Sequence, residues 1–208
     1  MTALRFLALG DSYTIGEGVA RREGWPQQWC AALRQLGIAI DEPRVIAQSG
    51  WSTDELALAI DAAEPLGEWD IVSLMIGVNN QYRQRDLENY RLEFSVLLER
   101  AILLAGRQTE RVLVLSIPDW GITPFGQASG RDTARISEEI DAFNTVSRAL
   151  CAMRGVRWLG VTQDTRRLGA LPQMLAVDGL HPSAAMYHLW VQRLSEQFPL
   201  PRKELRQP

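Results

Sequence analysis

The sequence predicts an α/β fold in which a five-stranded parallel sheet lies between helical layers. Three observations carry that reading. Strand-like and helical patterns alternate five times along the chain, the order that parallel α/β architectures require. Three of the strand runs are apolar on both faces, as strands covered from each side must be. The intervals between strands carry helical patterns, several with an apolar stripe and a recognisable start or stop.

Each element has its own signal. Leu4–Leu9 is the first strand; Met1 to Leu9 holds one Arg, a brief apolar run and no small-residue cleavage site after it, so it does not read as a signal peptide. Pro26 fits the first turn of a helix running to about Leu36, with Gly37 as its stop. Arg44–Ala47 is the second strand. Ser52-Thr53-Asp54-Glu55 is a capping box ahead of a helix ending near Ala63. Ile71–Ile76 is the third strand. Leu87, Tyr90, Phe94, Leu97, Leu98 and Ala101 then form an amphipathic stripe closed by Gly106. Val112–Ile117 is the fourth strand, followed by a stripe of Ile136, Ile140, Phe143, Val146 and Leu150. Val156–Val161 is the fifth, and Ser183 caps a last helix carrying Met186, Leu189, Trp190 and Leu194. No repeat or linker interrupts the pattern, so residues 1–208 read as one domain with a polar, frayed tail at Pro199–Pro208. Two segments, Pro118–Arg131 and Gln163–Pro182, read as long irregular loops, which in compact domains are usually functional.

Composition removes several function classes. A hydrophobic content of 46% and a charged content of 23% describe an ordinary globular chain. Lys+Arg 22 against Asp+Glu 25 leaves a net charge of -3, so no basic field argues for nucleic acid. The longest apolar stretches, Ile71 to Val78 and Ala101 to Ala105, are too short to span a membrane; a cytoplasmic location is the default expectation. Cys30 and Cys151 lie on helical faces and read as buried free thiols. Lys203 is the only lysine, so a Walker-type loop is excluded. Two histidines, His181 and His188, are too few for an HExxH site or a histidine-rich metal cage. No metal or cofactor is expected.

In an open parallel sheet, ligands bind beyond the carboxyl ends of the strands. The first strand exits into Gly10-Asp11-Ser12-Tyr13, the second into Gln48-Ser49-Gly50-Trp51, the third into Gly77-Val78-Asn79-Asn80. After the fifth comes Asp178-Gly179-Leu180-His181-Pro182. A serine, a glycine, an asparagine and an Asp/His pair thus converge on one edge. Those are the parts of acyl transfer: nucleophile, oxyanion donors, and a base with an orienting carboxylate.

With those residues in place, the chain resembles the SGNH (GDSL-type) hydrolases from Leu4 to the final helix. The family's GDS block stands as Gly10-Asp11-Ser12, its glycine block as Gly50, and its GxND block as Gly77-Val78-Asn79, departing at Asn80. Its DxxH block stands as Asp178-Gly179-Leu180-His181. The resemblance implies a flavodoxin-like three-layer α/β/α sandwich that hydrolyses esters or thioesters without a cofactor. It also implies that Ser12 is the nucleophile, His181 its base, and Asp178 the residue that orients the imidazole. The oxyanion would meet the backbone N–H groups of Ser12 and Gly50 and the side-chain amide of Asn79.

Other features have plainer readings. Asp11 is expected to bond backbone amides in its own turn, and Asn80 to anchor its loop. Arg83 and Arg85 read as a solvated loop, and His188 as a structural or exposed histidine on a capped helix. Gly16-Glu17-Gly18 looks like part of a dinucleotide loop, but Arg21 occupies the third glycine position, which leaves loop flexibility near the site. Trp25, Trp51 and Trp120 are equally consistent with core packing and with a substrate wall; Trp51, Trp120, Phe125 and Met174 are the substrate-binding candidates. The covering loops lack the apolar character of a lipase lid, so short acyl groups, acetyl to about hexanoyl, are expected in a pocket of a few hundred Å3. An O-acyltransferase, a long-chain lysophospholipase or thioesterase, and a non-catalytic α/β binding module are the alternatives. A small-molecule ester is the expected partner, and the sequence does not specify an oligomeric state.

Overall fold

The structure, a computed structural model, describes residues 3–198; the proposed frayed tail at 199–208 lies outside them. Five strands, β1 (Phe6–Gly10), β2 (Arg44–Ala47), β3 (Ile71–Met75), β4 (Val112–Leu115) and β5 (Arg157–Leu159), form one sheet in the order β2-β1-β3-β4-β5. All pairings are parallel, with Leu9 opposite Ile46 on one side and Leu74 on the other. β2 has the expected bounds, and the other four strands are shorter than the runs that announced them, because hydrophobicity continues into the turns while ladder bonding stops.

Short helices α1 (Ser12–Ile15) and α4 (Val78–Tyr82) are launched directly from β1 and β3. The longer helices are α2 (Trp25–Gln35), α3 (Thr53–Ala63), α5 (Leu87–Leu104), α7 (Thr133–Arg154) and α9 (Ala184–Gln197). Helix α2 packs on α9, while α3, α5 and α7 pack in succession on one another, giving the two helical layers that a doubly covered sheet needs. The expected caps are present: Ser52 N–H donates to Glu55 at 2.9 Å, and Ser183 Oγ accepts from Met186 N–H. Gly37 and Gly106 follow the ends of α2 and α5 with positive φ, as C-terminal glycines do.

The core holds β1 and β3 wholly buried. Phe6 meets Trp29 edge-on at 5.2 Å, and Trp29 meets Phe198 at 5.7 Å, so the start of the sheet, α2 and the end of α9 share one aromatic cluster. Each such side chain contributes roughly 1.5–3 kcal/mol by leaving water. Cys30 and Cys151 are buried free thiols in α2 and α7.

The two segments read as irregular loops are in fact partly helical. Pro118–Arg131 contains α6 (Pro124–Ala128), and Gln163–Pro182 overlaps α8 (Thr162–Leu168) and a 3-10 turn at Pro172–Met174. Elements this short show no hydrophobic period, and α6 forms because Pro124 follows the N-cap Thr123, whose hydroxyl accepts from Gly126 N–H.

Candidate active site

The strand exits of β1, β2 and β3, joined by the turn before α9, line one open cavity of about 290 Å3. Ser12, Gly50, Asn79 and His181 are all in its wall. Ser12 begins α1 because Asp11, extended and buried, caps that turn: its carboxylate accepts from Tyr13 N–H at 3.1 Å. Burial pushes the Asp11 carboxyl up to about 7, against the backbone hydrogen bonds that hold it down. Tyr13, from the same turn, sets its ring 5.4 Å from the His181 ring.

A hydrogen-bonded chain runs through the site. His181 Nε2 lies 3.0 Å from Ser12 Oγ, and His181 Nδ1 lies 2.6 Å from Asp178 Oδ2. Ser12 and His181 are 6% and 7% exposed. Asp178 Oδ1 accepts from the backbone N–H groups of Leu180 and His181, each at 2.9 Å, so the carboxylate both builds the turn and faces the imidazole. Burial pushes the Asp178 carboxyl up. The His181 ring and the two backbone donors outweigh that, and its pKa lies below the ordinary carboxylate value. The turn is pinned from outside by Ala176 N–H to the His181 carbonyl at 2.7 Å and Phe125 N–H to the Gly179 carbonyl at 3.1 Å.

The residues expected to receive an oxyanion are fixed by a separate clamp. Gly50 has φ +84, and a Cβ there would touch only Arg83. The position demands glycine for its left-handed backbone rather than for space. Arg83 is no solvated loop residue: it donates to the Gly50 carbonyl at 2.7 Å, to Ser52 Oγ at 3.3 Å and to Glu55 at 2.9 Å. Arg85 pairs with Asp54 at 2.6 Å. Asn80 is fully buried and grips Thr53, accepting from its N–H at 3.1 Å and donating to its Oγ1 at 2.6 Å. Asn79 Nδ2 donates one hydrogen to the Trp51 carbonyl at 2.9 Å, which leaves the amide's second hydrogen for the cavity.

Of the substrate-wall candidates, Trp120 and Phe125 line the cavity and Trp51 and Met174 do not. Trp51 packs half-buried on the hydrophobic core; the left-handed turn at Gly50 precedes a side chain that packs inward. Met174, carried by a 3-10 turn, lines a separate void of about 10 Å3 with Tyr13 and Met186. Trp120 answers both readings of the tryptophans, since it is buried and also borders the cavity, with Nε1 donating to Gln81 at 2.8 Å; Trp25 is core alone. His188 is exposed, beside Gln192. Glu17, Ser49 and Tyr82 are cavity residues that the sequence did not single out. Glu17 lies just past the left-handed Gly16 that ends α1, and no local spacing marks it. Among the described residues no group of three or more His, Cys, Asp or Glu is placed to hold a metal ion. No helix among them is long and apolar enough to cross a membrane.

Comparison with known proteins bears on the fold and the family. No curated protein sequence matches the chain. Among solved structures, TesA superposes with a TM-score of 0.73 at 18% identity, covering 94% of this chain and 98% of the other. A G-D-S-L family lipolytic protein from Desulfitobacterium hafniense DCB-2 gives 0.72 at 16%, covering 93% and 98%. Phospholipase A1 from Streptomyces albidoflavus NA297 gives 0.67 at 19%, covering 94% and 100%. At these identities the likeness establishes the fold. The sequence profile of the GDSL-like lipase/acylhydrolase family, however, matches residues 8–189, from inside β1 to the middle of α9. The chain therefore belongs to the GDSL-like lipase/acylhydrolase family of ester-cleaving hydrolases.

Proposed function

We propose that the protein is a serine esterase that cleaves short-acyl carboxylic esters, with Ser12 as nucleophile. The observation that carries this reading is the chain Ser12–His181–Asp178 opening into a cavity bordered by Gly50 and Asn79. His181 Nε2 takes the Ser12 proton as Oγ attacks the ester carbonyl, and the resulting oxyanion is held by the N–H groups of Ser12 and Gly50 and by Asn79 Nδ2. Collapse of the intermediate breaks the ester C–O bond, and the alkoxide leaves with the proton from Nε2. Water then enters, loses a proton to His181 and attacks the acyl-serine, which releases the acid and restores Ser12. Asp178 keeps Nδ1 protonated throughout, so that Nε2 faces the serine as the acceptor.

Cavity size supports a small substrate. About 290 Å3 lies at the small end of ligand sites, which run roughly 300–1,000 Å3, and the alcohol must share it with the acyl group. The apolar wall is short: Val78, Tyr82, Trp120, Phe125 and Leu180. The test is turnover of p-nitrophenyl esters from acetyl to palmitoyl, with Ser12→Ala as control. Ser12-dependent kcat/KM is expected to peak between acetyl and hexanoyl. A value that climbs steadily to palmitoyl points to a lipase or long-chain thioesterase, and full activity in Ser12→Ala rejects the serine mechanism.

A further inference from the structure

The cavity has two chemically different ends. Ser12 stands at the exit of β1, and strand order places the exit of β2 on one side of it and those of β3 and β4 on the other. At the β3/β4 end, Tyr82 and Trp120 meet at 5.4 Å and Trp120 and Phe125 at 6.1 Å, an aromatic wall suited to an acyl group. At the β1/β2 end stand Glu17, Ser49 and Gly50.

Glu17 is the feature without an assigned role. Its side chain is 40% exposed, and Oε2 lies 3.9 Å from His181 Nε2, the same nitrogen that faces Ser12. Ser49 Oγ donates to that oxygen and fixes the carboxylate toward the site. No arginine or lysine is among the described residues lining the cavity. The nearby arginines are otherwise engaged, Arg83 on the Gly50 carbonyl and Glu55, Arg131 on Glu139 and the Tyr82 carbonyl.

We propose that Glu17 is a specificity-determining residue that selects esters whose leaving alcohol carries a positive charge. The assignment rests on Ser12 and His181 acting as described above. The proton that Nε2 takes from Ser12 must be handed to the leaving oxygen, so that oxygen comes within hydrogen-bond reach of Nε2. Whatever the oxygen carries then passes the Glu17 carboxylate, while the acyl group lies toward the aromatic wall. A cationic group two or three bonds from the ester oxygen is attracted by Glu17 and an anionic one is repelled, while the Arg131 guanidinium lies over the Tyr82 and Trp120 rings at the opposite end.

The experiment compares acetylcholine with 3,3-dimethylbutyl acetate, its uncharged isostere, in the wild type and in Glu17→Gln. The wild type is expected to favour the choline ester by about fivefold in kcat/KM, the scale of one half-exposed charge pair. The ratio should fall to about one in Glu17→Gln and shrink with added salt. If Glu17 only supports the imidazolium, the substitution lowers both esters alike and leaves the ratio unchanged, which overturns the proposal. A wild-type ratio at or below one overturns it as well, as does failure to cleave either ester when p-nitrophenyl acetate is cleaved. Loss of the underlying esterase reading is seen separately, as p-nitrophenyl ester turnover that survives Ser12→Ala or is absent altogether.

Discussion

Ser12 at the start of α1 and Asp178 and His181 in the turn before α9 stand at the edge of the core, so their removal should affect chemistry before folding. Ser12→Ala and His181→Ala are expected to bring ester hydrolysis to near background with thermal unfolding little changed. Asp178→Asn should be severe but leave residual turnover, because the amide still accepts from Leu180 and His181 N–H yet no longer fixes the tautomer. Asn79 and Asn80 should behave oppositely. Asn79→Ala removes a cavity-facing donor and should lose about 10²–10³ in kcat. Asn80→Asp should keep most activity: one oxygen still accepts from Thr53 N–H, and the Thr53 hydroxyl, which now donates to Glu93, can turn to the new carboxylate. Equal damage from both would mean the wrong asparagine faces the oxyanion.

Asp11 makes a prediction about pH. Its folded-state pKa, about 7, stands above its ordinary value of 3.8, so the native state holds this proton after the unfolded chain has lost it. The stabilisation is complete below about pH 4 and is lost as pH rises towards 7. Thermal unfolding of Asp11→Asn should gain on the wild type between pH 5 and pH 8. A constant difference across that range would show that Asp11 does not titrate there. The hydrogen-bonded Ser12, His181 and Asp178 of the proposed mechanism were legible in the sequence because GDS and DxxH are local spacings in a chain with two histidines. Glu17 was not, because its place is defined by Ser49 and His181, which reach it only through the tertiary fold.

At the scale of elements, the sheet and long helices were legible because their periods run over many residues. Helices α1, α4, α6 and α8 were not, since one or two turns carry no period and are set by caps and by the strands that launch them. The same limit hid the clamp between α3 and α4. Arg83 looks like a solvent residue in sequence, yet its guanidinium spans the Gly50 carbonyl and the capping box of α3. Exposed ion pairs add at most about 1 kcal/mol to stability, so Arg83→Ala should barely move the melting temperature. It should lower kcat by about tenfold with KM nearly constant, since in the proposed mechanism the Gly50 N–H that it positions meets charge only in the transition state. An unchanged kcat would show that the loop holds its shape unaided. Gly50→Ala should lower kcat more, because the left-handed backbone costs an alanine roughly 1–2 kcal/mol and relaxing it re-aims the N–H.

For the whole molecule, the alternation of strands and helices was sufficient to foresee a parallel sheet between helical layers, and the strand-exit rule located the cavity. Its depth and polarity were not foreseeable, because Trp51 and Trp120 look alike in sequence and differ only in which way the chain turns before them. The two thiols report on the fold as a unit. Burial pushes both Cys30 and Cys151 up to about 12, and they sit in opposite helical layers. A thiol reagent should therefore find neither in the native protein and both in guanidinium, in a single transition. Reaction of one alone would reveal that one layer opens independently.

The main-chain bond from Phe125 to the Gly179 carbonyl joins the aromatic wall to the turn that carries His181. For protein engineering this makes the two ends of the cavity unequal. Grafting a different α6 to accept longer acyl chains would disturb the histidine, so altered chain-length preference should arrive with slower proton transfer. The Glu17 end has no such tether to His181 beyond the side chain itself. Libraries that diversify Glu17 and Ser49 should change alcohol preference while retaining turnover, which makes that end the better starting point for directed evolution.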